Sequence, residues 1–423
     1  MSFMIREDQT DVLVVGAGPV GMLTALLLAE SGIHVKIIDQ EEQTTRHSYA
    51  CALHPRTLSL LQQVGLAAEV LRVSHCARKV AFYQGPHRRA EIRVSDLKVD
   101  FPFLATLPQS ALEAILEQQI RQKENVTIHW NHRLSGLRSE GGAVIASIDK
   151  LGISAKGYIV PEFETVVERT LHTRAAFVIG ADGQHSLVRR CLDIDYERLA
   201  GPENFATFEF GCAANLGDEV RIVLDDLTAN VLWPLPGNKC RWTFQLAKAD
   251  ESFEFPLKDR TPWYVVEQPS EHDSRHHLQR LVQEKAPWFE ENIGEFNWSP
   301  EIQFERRLAK RFGVGRCWLA GDAAHQTSPI GVQSMNVGLR EAAELSRRIA
   351  GILEKKTSLD VLEDYHRERR AEWETLLGLR VSLRARDEAA SWVKERHTRI
   401  LPCIPASGED LASLVNQLGF QIQ

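Results

Sequence analysis

The run Gly16-Ala17-Gly18-Pro19-Val20-Gly21 restricts this chain more than any other feature, because of what stands on either side of it. A short apolar stretch, Asp11 to Val15, precedes it; helix-compatible sequence from Val20 to Ser31 follows; then comes a Val- and Ile-rich run, His34 to Asp39, ending on an acid. This predicts strand, helix, strand. Gly16 permits the tight turn, Gly18 lets a pyrophosphate approach the backbone, and Gly21 lets helix and strand pack closely. The helix N-terminus favours phosphate charge, and Asp39 is placed to accept hydrogen bonds from ribose hydroxyls. Pro19, Val20 and Gln40 complete this candidate dinucleotide site. The fingerprint alone does not separate FAD from NAD.

The remaining sequence excludes several classes. With 423 residues, 43% hydrophobic and 25% charged, the chain has an ordinary globular composition and enough length for two packed domains. A formal charge of −7 without a basic block gives no attraction to nucleic-acid phosphates. Met1 to Thr10 lacks the charge order and apolar core of a signal peptide, and the apolar helix candidate Val20 to Ala29 is too short to span a bilayer. A cytoplasmic protein with no membrane span is expected. Seven scattered cysteines without a CxxC pair read as reduced thiols. No HExxH, paired-cysteine site or GxSxG elbow is present, so no metal site is expected.

Amphipathic stretches beginning at Pro55 and Gln109 predict helices. Short β-like segments, Val126 to Trp130, Ala143 to Ile148 and Ala175 to Ile179, predict a second small sheet. Runs from Phe205 to Cys212, Val220 to Leu224, Val231 to Leu235 and Arg241 to Leu246, with turns at Asn215-Leu216-Gly217 and Pro236-Gly237, predict a mostly antiparallel sheet. Cys317 to Ala320 returns to a buried-strand pattern, and a helix is expected from Asn336 to Leu353. Leu359 to Arg399 reads as helical, with Trp373, Leu376, Leu377, Leu379 and Val381 as its apolar face.

Two later segments, Val178-Ile179-Gly180-Ala181-Asp182-Gly183-Gln184-His185-Ser186 and Trp318-Leu319-Ala320-Gly321-Asp322-Ala323-Ala324-His325, resemble the distal motifs of the para-hydroxybenzoate hydroxylase-like flavin monooxygenases in order and spacing. The resemblance covers residues 10 to 360. It implies that FAD occupies the fingerprint, that Asp322, beside Gly321, binds the ribityl chain, and that Asp182 shapes the flavin and NAD(P)H sites. Arg46 resembles an arginine contacting the flavin chain, with Arg56 as the alternative counterpart, and Gln109 resembles a glutamine on the ribityl and adenosine part. The fold it implies is α/β with α+β elements. A Rossmann-like FAD-binding domain (1–75, 100–195 and 299–358) holds an inserted antiparallel-sheet substrate domain (76–99 and 196–298), followed by a helical C-terminal segment (359–423).

By the same resemblance, the loop Pro329-Ile330-Gly331-Val332-Gln333-Ser334-Met335-Asn336 lies against the isoalloxazine ring with Pro329 beside C4a. The helix after it points its positive N-terminus at the flavin N1 and C2 carbonyl region. Val332 and Ser334 depart from the small or glycine residues of many members. Ser334 is expected to cap the helix, whereas Val332 adds bulk and backbone restriction near the flavin.

The implied activity is hydroxylation of an aromatic or polyketide-like small molecule through a flavin C4a-hydroperoxide, using transient NAD(P)H and O2. The cofactor supplies this chemistry, and no catalytic base can be named. His185 and His325 are read as structural, and His276 and His277 as a solvated helix face. Phe208, Phe210, Trp233 and Trp242 are candidates for the cavity wall, about half of them facing the core by strand alternation. A flavin oxidase or dehydrogenase is the alternative that Val332 motivates. A non-catalytic FAD-binding protein is a third reading, and a WxWxIP-like halogenase segment is absent. Neither the substrate nor the oligomeric state is specified.

Overall fold

The computed structural model describes residues 8–45, 49–156, 162–212, 216–247, 271–289, 293–380 and 383–422. The fingerprint strand Asp8–Val15 pairs in parallel with Val35–Ile38 on one side and with Glu162–Gly180 on the other. Val126–His129 extends this sheet beyond Val35–Ile38, and Cys317–Leu319 extends it beyond Glu162–Gly180, both in parallel. Val12 to Val15 are all buried, as a strand covered on both faces requires. The helix Pro19–Glu30 buries Met22, Leu23, Ala25, Leu26 and Leu28 because it lies between this sheet and the helices Gln109–Ile120 and Gln333–Leu353. Each such leucine contributes roughly 1.5–3 kcal/mol on burial.

The expected second small sheet between Val126 and Ile179 does not exist as a separate unit. The strand Glu162–Gly180 is long enough to serve two partners. Its register pairs Lys156 with Glu162 and Val144 with Ala175 in an antiparallel hairpin, while its C-terminal part pairs Asp8 with Thr173 and Val15 with Gly180. The strands His132–Glu140 and Ala143–Lys156 are thereby joined to the fingerprint sheet, which has eight strands.

A second eight-stranded sheet is mostly antiparallel and runs Ile293–Trp298, Glu203–Cys212, Lys239–Leu246, Ala229–Leu235, Glu219–Leu224, Lys79–Gln84, His87–Arg93, with Glu301–Phe304 beside Glu203–Cys212. Residues 79–93 reach it through a parallel pairing of Lys79–Gln84 with Glu219–Leu224. Period-two alternation divides its faces. Phe208, Phe210, Trp242 and Phe244 form a core with Leu278, Leu281 and Val282 of the helix Glu271–Lys285. Thr207, Arg241, Thr243 and Trp233 take the other face, toward the fingerprint sheet's loops.

The C-terminal part is more than one helix. Val361–Leu376, Ser391–Ile400 and Gly408–Gln417 are helical, and Leu383–Ala385 pairs with Phe420–Ile422. Trp373 and Leu376 are buried as expected, but the helix ends at Leu376 and Leu379 is 51% exposed; Val381 lies outside the described residues. Arg56 pairs with Glu409 and Asp410, fastening this tail to the helix Pro55–Gln63. None of the described helices is long and apolar enough to cross a membrane.

Candidate functional site

Strand register aligns three sequence motifs along one edge. Val15 is level with both Ile38 and Gly180, and Gly180 is level with Leu319. The residues that leave these strands at their carboxyl ends, Gly16, Asp39, Ala181-Asp182 and Ala320-Gly321-Asp322, therefore emerge side by side, where open α/β sheets bind ligands. Backbone bonds lock the exits: Gly16 N–H donates to the Ile38 carbonyl, Ala181 N–H to Val15, and Ala320 N–H to Gly180.

Beyond this edge lies a cleft of about 1050 Å³ lined by Gly16, Gly18, Asp39, Gln40 and Asp182. Its glycines are needed for space. Gly16 has φ +105°, and a Cβ there would stand 2.3 Å from the Ala181 carbonyl oxygen; at Gly21 it would stand 1.9 Å from the Gly16 oxygen. In front of Gly18 there is open room, and no side chain caps the helix it precedes. Pro19 is the first helical residue, and Val20 packs on Gly321, where an added Cβ would meet it at 3.0 Å. A pyrophosphate-bearing cofactor fits this cradle, since backbone N–H groups and a helix terminus are presented without competing side chains.

The two acids of this cleft have internal partners. Asp39 accepts the Ala17 N–H at 2.6 Å and the Glu41 N–H at 2.9 Å, tying the glycine loop to the strand end. Asp182 accepts the Ser186 hydroxyl at 2.6 Å and the Leu187 and Val188 N–H groups at 2.6 and 3.1 Å. It caps the helix Leu187–Cys191 together with Ser186. Burial nonetheless raises the Asp182 pKa.

A second cavity, of about 800 Å³, lies between the loop 327–335 and the second sheet. The loop side contributes Asp322, Pro329, Val332, Ser334 and Met335, and the sheet side contributes Thr207, Trp233, Arg241 and Thr243; Trp298 and Phe304 add further apolar wall. Tyr49 lines both the cleft and this cavity. The Tyr49 segment is held from below: Gln109 accepts the Ala50 N–H at 3.0 Å and donates to Glu113, which accepts the Thr45 N–H at 2.9 Å. Burial pushes Glu113 up to about 7, despite these two bonds. Asp322 is likewise raised by burial, to about 6, with Glu341 adding to the shift and His325 opposing it.

The loop carries strain and a clamp that holds it. Val332 has φ +48° and ψ +38°, a left-handed conformation rare for a β-branched residue. Asn336 donates to the Val332 carbonyl at 2.8 Å and the Ala52 carbonyl at 2.9 Å, while its own oxygen accepts the His54 N–H and the Thr57 hydroxyl, both at 2.8 Å. Burial drives His54 down to about 3, so its ring is neutral, and it bonds the Gly331 carbonyl at 3.1 Å. A Cβ on Gly331 would stand 2.6 Å from the Pro402 carbonyl oxygen, and Gln333 donates to the Ile404 carbonyl, so the C-terminal tail backs the loop.

Behind Asp322, the buried Glu341 carboxylate accepts the Gly321 N–H at 2.9 Å, the Trp373 indole N–H at 3.0 Å and a bond from His325 at 2.7 Å. Burial alone would raise its pKa, but His325, this N–H and Arg369 outweigh that and hold it low. His325 stacks on Trp373 at 3.8 Å, the structural role expected of it.

Several expectations require correction. Ser334 is not the helix cap: the helix begins at Gln333 with Val332 as N-cap, and the Ser334 hydroxyl accepts the Thr327 N–H at 3.1 Å instead. His277 is not solvated; its side chain is 12% exposed, edge-on to Phe208 and 3.4 Å from Glu301. Arg56 is occupied by the tail acids and lines neither the cleft nor the cavity. Arg46 lies outside the described residues. Of the four aromatic candidates, Trp233 alone lines the cavity, and Phe208, Phe210 and Trp242 are in the core. Sequence reasoning missed Thr207, Glu209, Arg241 and Thr243, although polar residues at every second position of otherwise apolar strands were a usable signal.

The chain is 26% identical over 368 residues to pentachlorophenol 4-monooxygenase of Sphingobium chlorophenolicum, covering 85% of this chain and 61% of that protein. It is 24% identical to para-nitrophenol 4-monooxygenase of a Pseudomonas species, covering 86% and 83%, and 26% identical to 6-methylpretetramide 4-monooxygenase of Streptomyces rimosus, covering 86% and 60%. The chain thus spans about three fifths of the length of two of these relatives. The crystal structure of p-nitrophenol 4-monooxygenase from Pseudomonas putida has the same fold, with a TM-score of 0.72 at 20% identity over 97% of this chain and 99% of that one. A family model described as the FAD binding domain matches residues 9–378, and the chain belongs to that FAD-binding family.

Proposed function

We propose that this protein is an FAD-dependent monooxygenase that uses NAD(P)H and O2 to hydroxylate an aromatic or polyketide-like small molecule. The observation that carries the reading is the aromatic-walled cavity between the loop 327–335 and the second sheet, meeting the dinucleotide cleft at Tyr49. A dinucleotide in the cleft could therefore present a reactive ring to a molecule in the cavity. The names of the three relatives, all 4-monooxygenases, support the same activity.

In this proposal Gly16, Gly18, Pro19, Val20 and Gly21 hold the pyrophosphate, and Asp39 and Gln40 the adenosine ribose. Gln109, Gly321 and Asp322 would line the ribityl chain, Asp182 would shape the flavin and NAD(P)H sites, and Arg46, outside the described residues, keeps the flavin-chain role that the resemblance implies. Pro329, Gly331, Val332, Ser334, Met335 and Asn336 form or support the seat of the ring. When bound, FAD supplies hydride acceptance and oxygen activation. The chain's own contribution is to orient and to keep water out: the N-terminus of Gln333–Leu353 offers partial positive charge, and Trp233, Trp298 and Phe304 dry the cavity. Residues 1–75, 100–195 and 299–358 would be the cofactor module and 76–99 with 196–298 the substrate module, except that Glu301–Phe304, paired with Glu203–Cys212, goes with the substrate module. A cytoplasmic setting is part of the proposal, supported by seven cysteines that are all free thiols.

Val332 favours a second reading, an oxidase or dehydrogenase, because its side chain stands in the cavity wall where a glycine would leave room for oxygen. A panel of phenols assayed for NAD(P)H consumption and for product by mass spectrometry separates the two. Hydroxylated product in proportion to NAD(P)H consumed supports the monooxygenase; hydrogen peroxide with no hydroxylated product from any phenol supports the oxidase.

A further inference from the structure

The cavity face of the second sheet carries a buried ion pair beside a pair of threonine hydroxyls. Cross-strand register places Glu209 opposite Arg241 and Thr207 opposite Thr243, with Trp233 on the far side of Arg241. Arg241 donates to the Glu209 carboxylate at 2.6 Å and to the Tyr49 carbonyl at 3.1 Å. The two side chains of this ion pair are 3% and 7% exposed. The Arg241 guanidinium also hydrogen-bonds the Cys51 thiol, a weak acceptor. The Thr207 and Thr243 hydroxyls are 3.3 Å apart. Only one proton can lie between them, so the pair has a second hydroxyl proton to donate elsewhere.

This wall therefore has hydrogen to give but no net charge to neutralise. Arg241 is the one cation among the described residues that line the cavity, and Asp322 is an acid on the opposite wall. Glu209 already balances Arg241. A ligand carboxylate would enter as an extra buried anion, and an unpaired buried charge is far costlier than an unpaired polar group. A neutral acceptor such as a carbonyl, nitro or ether oxygen would satisfy the threonine pair without that penalty.

Resting on the reading of this cavity as the substrate site, we propose that the Arg241–Glu209 pair selects uncharged phenols carrying a neutral hydrogen-bond acceptor and rejects their carboxylated counterparts. The charge balance of the pair, and not the presence of an arginine, sets the preference.

The test is a binding measurement on the oxidised, FAD-loaded protein without NAD(P)H, so that no turnover enters. Equilibrium dialysis compares para-hydroxybenzamide with para-hydroxybenzoate, which share shape and differ in charge, and adds para-cresol, which lacks the acceptor. The amide is expected to bind at least about tenfold tighter than the carboxylate, and tighter than the cresol. Glu209→Gln keeps an acceptor for Arg241 but removes the balancing charge, and should shift the amide-to-carboxylate ratio by about tenfold or more toward the carboxylate. Equal binding of the first two ligands by the unaltered protein, a preference for the carboxylate, or no binding of any of them overturns the proposal, as does an unchanged ratio in the variant. The comparison in the unaltered protein stands even where Glu209→Gln does not fold. A protein that prefers the amide but never adds oxygen to a phenol retains this inference and loses the monooxygenase reading; one that hydroxylates carboxylates in preference does the reverse.

Discussion

The cleft and the cavity lie on either side of Tyr49 and are made in opposite ways. The cleft is mostly backbone: a glycine turn, strand ends in register and an uncapped helix terminus, with Asp39 and Asp182 also holding loops in place. The cavity is side chain: threonines, an ion pair and indoles projecting from one face of an antiparallel sheet, opposite a strained loop. A surface of backbone dipoles suits a cofactor whose phosphates never change. A surface of side chains can be altered one residue at a time, which suits a substrate site.

This contrast breaks most visibly at Gly21. A methyl there would stand 1.9 Å from the Gly16 carbonyl oxygen, backbone against backbone. Gly21→Ala should cost about 3 kcal/mol or more and abolish FAD retention, read from the flavin absorbance that stays with the protein through gel filtration. Retention of FAD at full occupancy would mean that the close packing is dispensable. Glu113 sharpens the comparison from beneath Tyr49. Its pKa is raised from 4.5 to about 7, so the folded protein holds this proton longer than the unfolded chain does. The stabilisation is complete below pH 4.5 and is lost as pH rises through about 7. Glu113→Gln should remove that fall, worth about 3 kcal/mol, so that in urea denaturation the stability of the variant rises relative to the parent across this window. A gap that is constant with pH would place the titration elsewhere.

Asp182→Ala deletes three acceptor contacts at the start of the helix Leu187–Cys191. A loss of about 2 kcal/mol and weaker FAD binding are expected, with substrate affinity of the loaded protein unchanged. An equal loss on substrate would erase the division between the two regions. The smallest effect belongs to Val332→Gly. Losing a buried side chain normally costs a few kcal/mol, but release of the left-handed strain offsets roughly 1–2 kcal/mol of it. Chemical denaturation should give a net change within about 1 kcal/mol. A loss of about 3 kcal/mol would show that the conformation carries little strain.

The same division explains what the sequence made legible. Gly16, Gly18, Gly21, Asp39, Asp182 and Asp322 were readable because a backbone site depends on contiguous spacing, and register then brings the pieces to one edge. Glu209, Arg241, Thr207 and Thr243 were not named: their period-two polar spacing was visible, but which of them face one another depends on strand pairing, a long-range property. The merging of the hairpin into the fingerprint sheet was hidden likewise: only pairing reveals that one long strand serves two partners. Ser334 failed as a cap because the helix starts one residue earlier, at Gln333, and its hydroxyl accepts the Thr327 N–H instead.

Delivery of oxygen from the cofactor to a molecule in the cavity is tested with isotopically labelled dioxygen. The FAD-loaded protein, NAD(P)H and a phenol that is turned over are incubated under the labelled gas in ordinary water, and the product is weighed by mass spectrometry. One labelled oxygen atom in each product molecule is the expected result. Product oxygen drawn from water, or label recovered solely in hydrogen peroxide while the phenol stays intact, would contradict it.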